Sequence, residues 1–115
     1  MSRFLHKVPV VFYRTPSGAE VVRDWLRELD EKDRRIIGQD LMRVQFRWPI
    51  GMPLCRPLGD GLWEIRSHLS SNRIARVFFC HTDNRLIALR AMIKKTQATP
   101  SADLYLARKR RREFS

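Results

Sequence analysis

Apolar and polar side chains alternate through three neighbouring stretches, residues 62–68, 73–79 and 86–94. Strands send successive side chains to opposite faces of a sheet, so each stretch divides in two. The first gives Trp63, Ile65 and Ser67 on one face and Glu64, Arg66 and His68 on the other. The second gives Ala75, Val77 and Phe79 against Arg76 and Phe78. The third gives Ile87, Leu89, Ala91 and Ile93 against Arg90 and Lys94. The linkers Ser70-Ser71-Asn72 and Thr82-Asp83-Asn84 are good hairpin loops and too short for parallel crossovers, which predicts an antiparallel meander. With the apolar faces turned into one core, Arg66, Arg76, Arg90 and Lys94 share the opposite face.

Upstream the period changes. Residues 8–13 are rich in β-branched and aromatic side chains and read as a further strand, with Pro9 near its start or on an edge. Thr15-Pro16-Ser17-Gly18 is a turn, and Ser17 followed three residues later by Glu20 fits a capping box. Val21, Val22, Trp25, Leu26 and Leu29 then recur at helical spacing. Asp30 is placed to cap a second helix, with Glu31 and Asp33 in its positively polarised first turn. Ile36, Ile37, Leu41, Val44 and Phe46 lie mostly along one side of that helix, and the near absence of a loop predicts an antiparallel helical hairpin. Residues 48–59 hold three prolines and two glycines, which reads as a connector rather than helix or regular strand. After Lys95, Thr96-Gln97-Ala98-Thr99-Pro100 ends the last strand, and a short helix from about Ala102 closes the chain. The expected fold is α+β. It has a single small antiparallel sheet, an N-terminal strand plus a three-strand meander, with a two-helix hairpin and a short C-terminal helix in one domain spanning 1–115.

Composition adds the kind of partner. The chain has 115 residues, 13.7 kDa and a net charge of +11. Residues 1–65 carry 11 Lys and Arg against 9 Asp and Glu, whereas residues 66–115 carry 12 against 3. A cluster of like charges repels itself, so this concentration points to a phosphate-bearing partner, nucleic acid first. Cys55 and Cys80 form no C-x-x-C pair and have no His at zinc-ligand spacing, and Cys80 reads as a reduced, buried thiol. A cytoplasmic location is expected. No apolar stretch approaches the roughly 20 residues of a membrane span, and residues 8–13 are too short for a signal peptide and lack its cleavage site.

The pieces Gly61-Leu62-Trp63-Glu64-Ile65-Arg66, Arg76-Val77-Phe78-Phe79 and Ile93-Lys94-Lys95-Thr96-Gln97, in that order, resemble the RelE/ParE toxin superfamily, closest to its HigB-like, phage-derived branch. The resemblance runs from Val10 to Arg112 and shares the element order read above. It implies a type II toxin that is a ribosome-dependent mRNA endonuclease, held inactive by a helix-turn-helix, HigA-like antitoxin that represses its own operon. Operator DNA would then be met only through the antitoxin, and no membrane partner or cofactor is implied. The basic residues that such toxins use on the sheet's concave face fall on Arg66, on Arg76 and on Lys94 or Lys95. The tyrosine that many contribute from the C-terminal segment falls on Tyr105. Where RelE carries a lysine this chain has Glu64, so a lysine base at that position does not carry over.

RNA is cut when its own 2′-OH attacks the adjacent phosphate, which needs in-line positioning, two proton transfers and neutralisation of the transition-state charge. Arginine suits the last task because its planar fork bonds phosphate oxygens and stays protonated. Arg66, Arg76 and Arg90 are candidates for it, and no carboxylate cluster for a metal is visible. Proton carriers come from His68, Glu64, Lys94, Lys95 and Tyr105, since imidazole changes charge between about pH 5 and 8 and a lysine among cations is a possible base. Arg73, Arg90, Arg108, Lys109, Arg110 and Arg111 are candidate RNA contacts. Plainer roles compete with these. Glu64 pairs with Arg66 or Arg76, Arg90 pairs with an acid from a helix, residues 108–112 are a solvated helix end, and Trp25 and Trp63 are core. Two rival functions share the fold: a ParE-like poison of DNA gyrase, and a basic RNA- or DNA-binding module without activity.

Overall fold

The computed structural model describes residues 7–95 and 98–114. Its elements are β1 (Val10–Phe12), α1 (Val21–Glu28), α2 (Glu31–Arg47), β2 (Cys55–Gly59), β3 (Leu62–His68), β4 (Ile74–Thr82), β5 (Arg85–Lys94) and α3 (Ser101–Arg111), closed by a 3₁₀ turn at Arg112–Phe114. The five strands form one sheet in the order β1-β5-β4-β3-β2. The α+β architecture with a single sheet, a helix pair and a C-terminal helix is the expected one.

Three details differ. β1 runs parallel to β5, with Val10 opposite Leu86 and Phe12 opposite Ala88; α1 and α2 carry the chain from β1 to β2 at the far edge, and the β2–β5 meander brings it back, which supplies the long connection a parallel pair needs. A fifth strand, β2, lies inside the proline-rich connector. It is an edge strand, where Pro57 removes no ladder hydrogen bond the sheet requires. The capping box at Ser17 and Glu20 is not formed. Thr15 Oγ1 instead accepts from the Ala19 amide at 3.1 Å and bonds Ser17 Oγ at 2.9 Å, so α1 starts only at Val21. The Asp30 cap does form, its carboxylate accepting from Asp33 N at 2.9 Å. The expected break at Thr96-Gln97 lies outside the described residues.

Both helices of the pair lie on one face of the sheet, α1 against β5 and β1 and α2 against β3. Val22, Ile37, Leu41 and Val44 pack there on Cys55, Ile65, Ala75, Val77, Phe79 and Ala88. Trp48 closes this core with its ring edge-on to Trp63 at 5.0 Å and to Phe79 at 5.3 Å, and Trp25 packs against the same cluster. The tryptophans are packing residues. α3 covers part of the second face, where Leu62, Phe78, Cys80, Ile87, Leu89, Met92 and Ala107 form another core. A bulge between β4 and β5 at Phe78/Phe79 reorganises the alternation. Ile87 and Leu89 therefore join the α3 side, and Leu86 and Ala88 take their expected place under α1 and α2.

Two contacts between turns and helices add to the stability of this frame. The guanidinium of Arg73 grips Asp33 of α2 through two bonds, 2.7 and 2.9 Å, tying the β3–β4 turn to the helix. Hydrogen bonding by Arg73 holds the Asp33 carboxyl below its ordinary 3.8, against the opposing effect of burial. A lowered folded-state value stabilises the fold above 3.8, and that stability is lost as pH falls through the folded value. Arg73→Gln should therefore melt below the wild type at pH 6, with the difference shrinking as the buffer is taken below 3.8. The second contact is at the β2–β3 turn, where Gly61 has φ +79° and the Arg111 guanidinium lies where a Cβ would stand. Gly61→Ala should cost about 1–3 kcal/mol through left-handed backbone strain, read as a lower urea midpoint. Arg111 can swing aside, so the steric share of that cost is small.

Candidate nucleic-acid interface

Directly paired residues of an antiparallel ladder project from the same face. On the α3 side the rows across the sheet are Arg56, Glu64, Phe78 and Arg90, then Arg66, Arg76 and Met92, then His68, Ile74 and Lys94. The predicted basic face is real in register, but α3 and the segment before it divide it into a buried part and an open end.

The buried part centres on Glu64 and Arg76, both 0% exposed. Arg76 Nε lies 3.3 Å from Glu64 Oε2, Arg56 Nε lies 3.7 Å from Oε1, and Thr99 Oγ1 donates to Oε2 at 3.1 Å. Burial lowers the Arg76 pKa from its ordinary value, Glu64 opposes this, and Arg66 and Arg56 add to it. The pairing of Glu64 with Arg76, one of the two considered for it, is formed. Arg76 thus sits behind the surface, where it braces the site and does not meet solvent.

The open end holds Arg56 and Arg66, both half-buried, with His68, Lys94 and Lys95 exposed. A groove of about 420 Å³ runs from Arg66 and His68 to Asp40 and Arg43 of α2, with Ile36, Ile50, Met52, Pro53 and Leu54 as apolar lining. A recess of about 220 Å³ adjoins it, lined by Met52, Pro53, Arg56, Arg66 and His68. Arg56, Asp40 and Arg43 were not among the expected site residues. Arg56 had a signal, as the one charged residue in 48–59, but the prolines around it disguised the strand that aims it.

The other candidates lie elsewhere. Arg73 is engaged by Asp33, and Arg90 Nε bonds Asp103 of α3 at 2.8 Å, the helix-acid pairing considered for it. Arg108 donates to the carbonyls of Leu58 and Gly59 at 2.7 and 3.1 Å. Arg110 donates to Leu89 O at 2.7 Å and stacks over the Tyr13 ring, 4.9 Å from its centroid. Arg108 and Arg110 thus fasten α3 and its tail to the sheet, Arg111 lies against Gly61, and Lys109 is exposed. Tyr105 is 66% exposed on the side of α3 away from buried Asp103 and Ala107, and it lines neither the groove nor the recess. Both cysteines are buried. Burial, with the Asp40 carboxylate adding to it, pushes the Cys55 thiol up to about 12, which removes it as a nucleophile.

Among the described residues no three His, Cys, Asp or Glu side chains gather as metal ligands, and no helix is long and apolar enough to cross a membrane. The open end can therefore offer cationic and hydrogen-bonding groups to an anion, with an imidazole among them. Compared with known proteins, residues 24–112 match the family model described as Phage derived protein Gp49-like (DUF891). No curated protein matches the chain.

Proposed function

Because the chain belongs to the Gp49-like family of phage-derived proteins, a RelE/HigB-like toxin family, we propose that it is a toxin that stops translation by cutting mRNA on the ribosome. The observation that carries this reading is the open end of the sheet, where Arg56, Arg66 and His68 border a recess continuous with a groove of about 420 Å³ and Lys94 stands across Ile74 from His68. A cationic groove raises the local concentration of a polyanion and neutralises charge that develops on a transferring phosphoryl group.

In this mechanism the 2′-oxygen of one ribose attacks the neighbouring phosphorus and the bond to the 5′-oxygen of the next nucleotide breaks. The products are a 2′,3′-cyclic phosphate and a free 5′-OH. Arg66, with Arg56 beside it, binds the non-bridging oxygens and stabilises the added charge. His68 takes the proton from the 2′-OH, and Lys94 supplies one to the departing 5′-oxygen. These two stand on either side of Ile74, two strand spacings or about 10 Å apart at Cα, a span that fits a phosphodiester in line between their side chains. Lys95 adds charge at the rim. Arg76 and Glu64 position Arg66 and Arg56 from below.

A basic groove of this kind is hazardous in a cytoplasm full of RNA, so the reading includes a neutralising partner, a helix-turn-helix antitoxin of the HigA type that would carry any operator contact. Mapping transcript 5′ ends after brief induction, with and without active ribosomes, tests the proposal. New ends confined to translated regions are expected. Inhibition of gyrase supercoiling by the purified protein, with intact transcripts, would overturn it in favour of a ParE-like poison.

A further inference from the structure

We propose that the groove between α2, the 50–54 segment and the end of β3 is a nucleobase subsite in which the Asp40 carboxylate reads an unstacked guanine of single-stranded RNA. The inference rests on the endonuclease reading and gives it a base preference. An unstacked base needs apolar surface against its ring faces and polar groups at its edge. Ile36, Ile50 and Leu54 supply the first, with Met52, 70% exposed, at the rim. At about 420 Å³ the groove is of ligand-pocket size.

Arg66 and His68 line both this groove and the recess bordered by Arg56. A phosphate held in the recess therefore delivers its attached base into the groove. Asp40 is the one acid in the lining, with a side chain 17% exposed. Arg43 Nη1 engages its Oδ1 at 3.1 Å, which orients the carboxylate and keeps acceptor capacity on both oxygens. An ionised carboxylate only accepts. Guanine presents two adjacent donors on its Watson–Crick edge, N1–H and the 2-amino group, and so matches it with two parallel bonds. Adenine and cytosine offer one amino group next to an acceptor, and uracil offers one N–H between two acceptors. Each places a lone pair against the carboxylate.

The test uses the full chain and four short fluorescent RNAs, 2′-O-methylated to block 2′-OH attack and identical except for one central G, A, C or U. Wild-type protein should bind the G oligonucleotide about tenfold more tightly than the others, and Asp40→Asn should reduce that ratio to about twofold or less. Equal affinity for all four RNAs in the wild type, or a G preference that survives in natively folded Asp40→Asn, would overturn the subsite. If Asp40→Asn does not fold, the wild-type comparison decides alone, and Arg43→Ala, which frees the carboxylate to turn, should weaken the same preference. Transcript mapping separates this proposal from the one it rests on. Ribosome-dependent cuts with flat binding sink only the subsite, whereas G-selective binding without cuts sinks only the endonuclease.

Discussion

Glu64→Ala is expected to remove about 3–5 kcal/mol of folding stability, a large part of the 5–15 kcal/mol typical of a small domain. Glu64 and Arg76 are each fully buried and lie 3.3 Å apart. Removing the carboxylate leaves the Arg76 guanidinium desolvated beside the positive charges of Arg66 and Arg56, which already act with burial to lower its pKa. It also takes away the acceptor for Thr99 Oγ1, which joins the segment leading into α3 to the sheet. Arg76→Ala should be comparably costly, because it strands the buried carboxylate. The paired change Glu64→Met with Arg76→Met should be milder than either single change, since it removes two desolvated charges together and fills the space with apolar groups. Urea unfolding of the wild type, the double Met variant and the two single variants Glu64→Met and Arg76→Met gives the coupling directly. A double variant whose loss equals the sum of the single losses would mean that the two residues do not act as a pair. Arg56→Ala should be much smaller, because Arg56 is 36% exposed and 3.7 Å from its partner oxygen.

This pair also marks how far the sequence could be read. Alternation placed Arg66 and Arg76 on one face, and the register sets them directly opposite one another. Alternation carries no information about what covers that face. The burial of Arg76 comes from α3 and Thr99, which are distant in sequence, so a residue expected to touch RNA became a brace. The Asp30 cap and the turn at Asp83-Asn84 were legible because the chemistry is local: one carboxylate reaches its own helix start, and both turn residues adopt positive φ, 49° and 61°. The Ser17 and Glu20 box was equally local and failed because Thr15 offered the Ala19 amide a competing acceptor. β2 was hidden by Pro57, which speaks against a central strand but not against an edge. The bulge at Phe78/Phe79 had no sequence signal, since a strict period of two already gave β5 a continuous apolar face. The groove was illegible for a different reason. It brings Asp40 and Arg43 of α2 beside Arg66 and His68 of β3, and no single element holds more than part of it.

Arg66→Ala should lower ribosome-dependent cutting by about 10²–10³-fold while leaving the melting temperature nearly unchanged. Arg66 is half-buried at the mouth of the recess, and it is assigned the charge that appears on the phosphate oxygens only in the transition state. An interaction made there lowers the rate of the chemical step with little change in ribosome binding, so half-maximal toxin concentration should move far less than the maximal rate. His68→Ala should lose about 10²–10⁴-fold by removing a proton carrier. Arg66→Lys is the informative conservative change. It keeps the charge but not the planar fork, so a bidentate role predicts only partial recovery. The contrast with Arg76 decides between touching and bracing. Arg76→Ala should lose activity in parallel with stability, whereas Arg66→Ala should lose it in a fully folded protein. Wild-type rates of cutting by folded Arg66→Ala and His68→Ala would move the chemistry away from this end of the sheet.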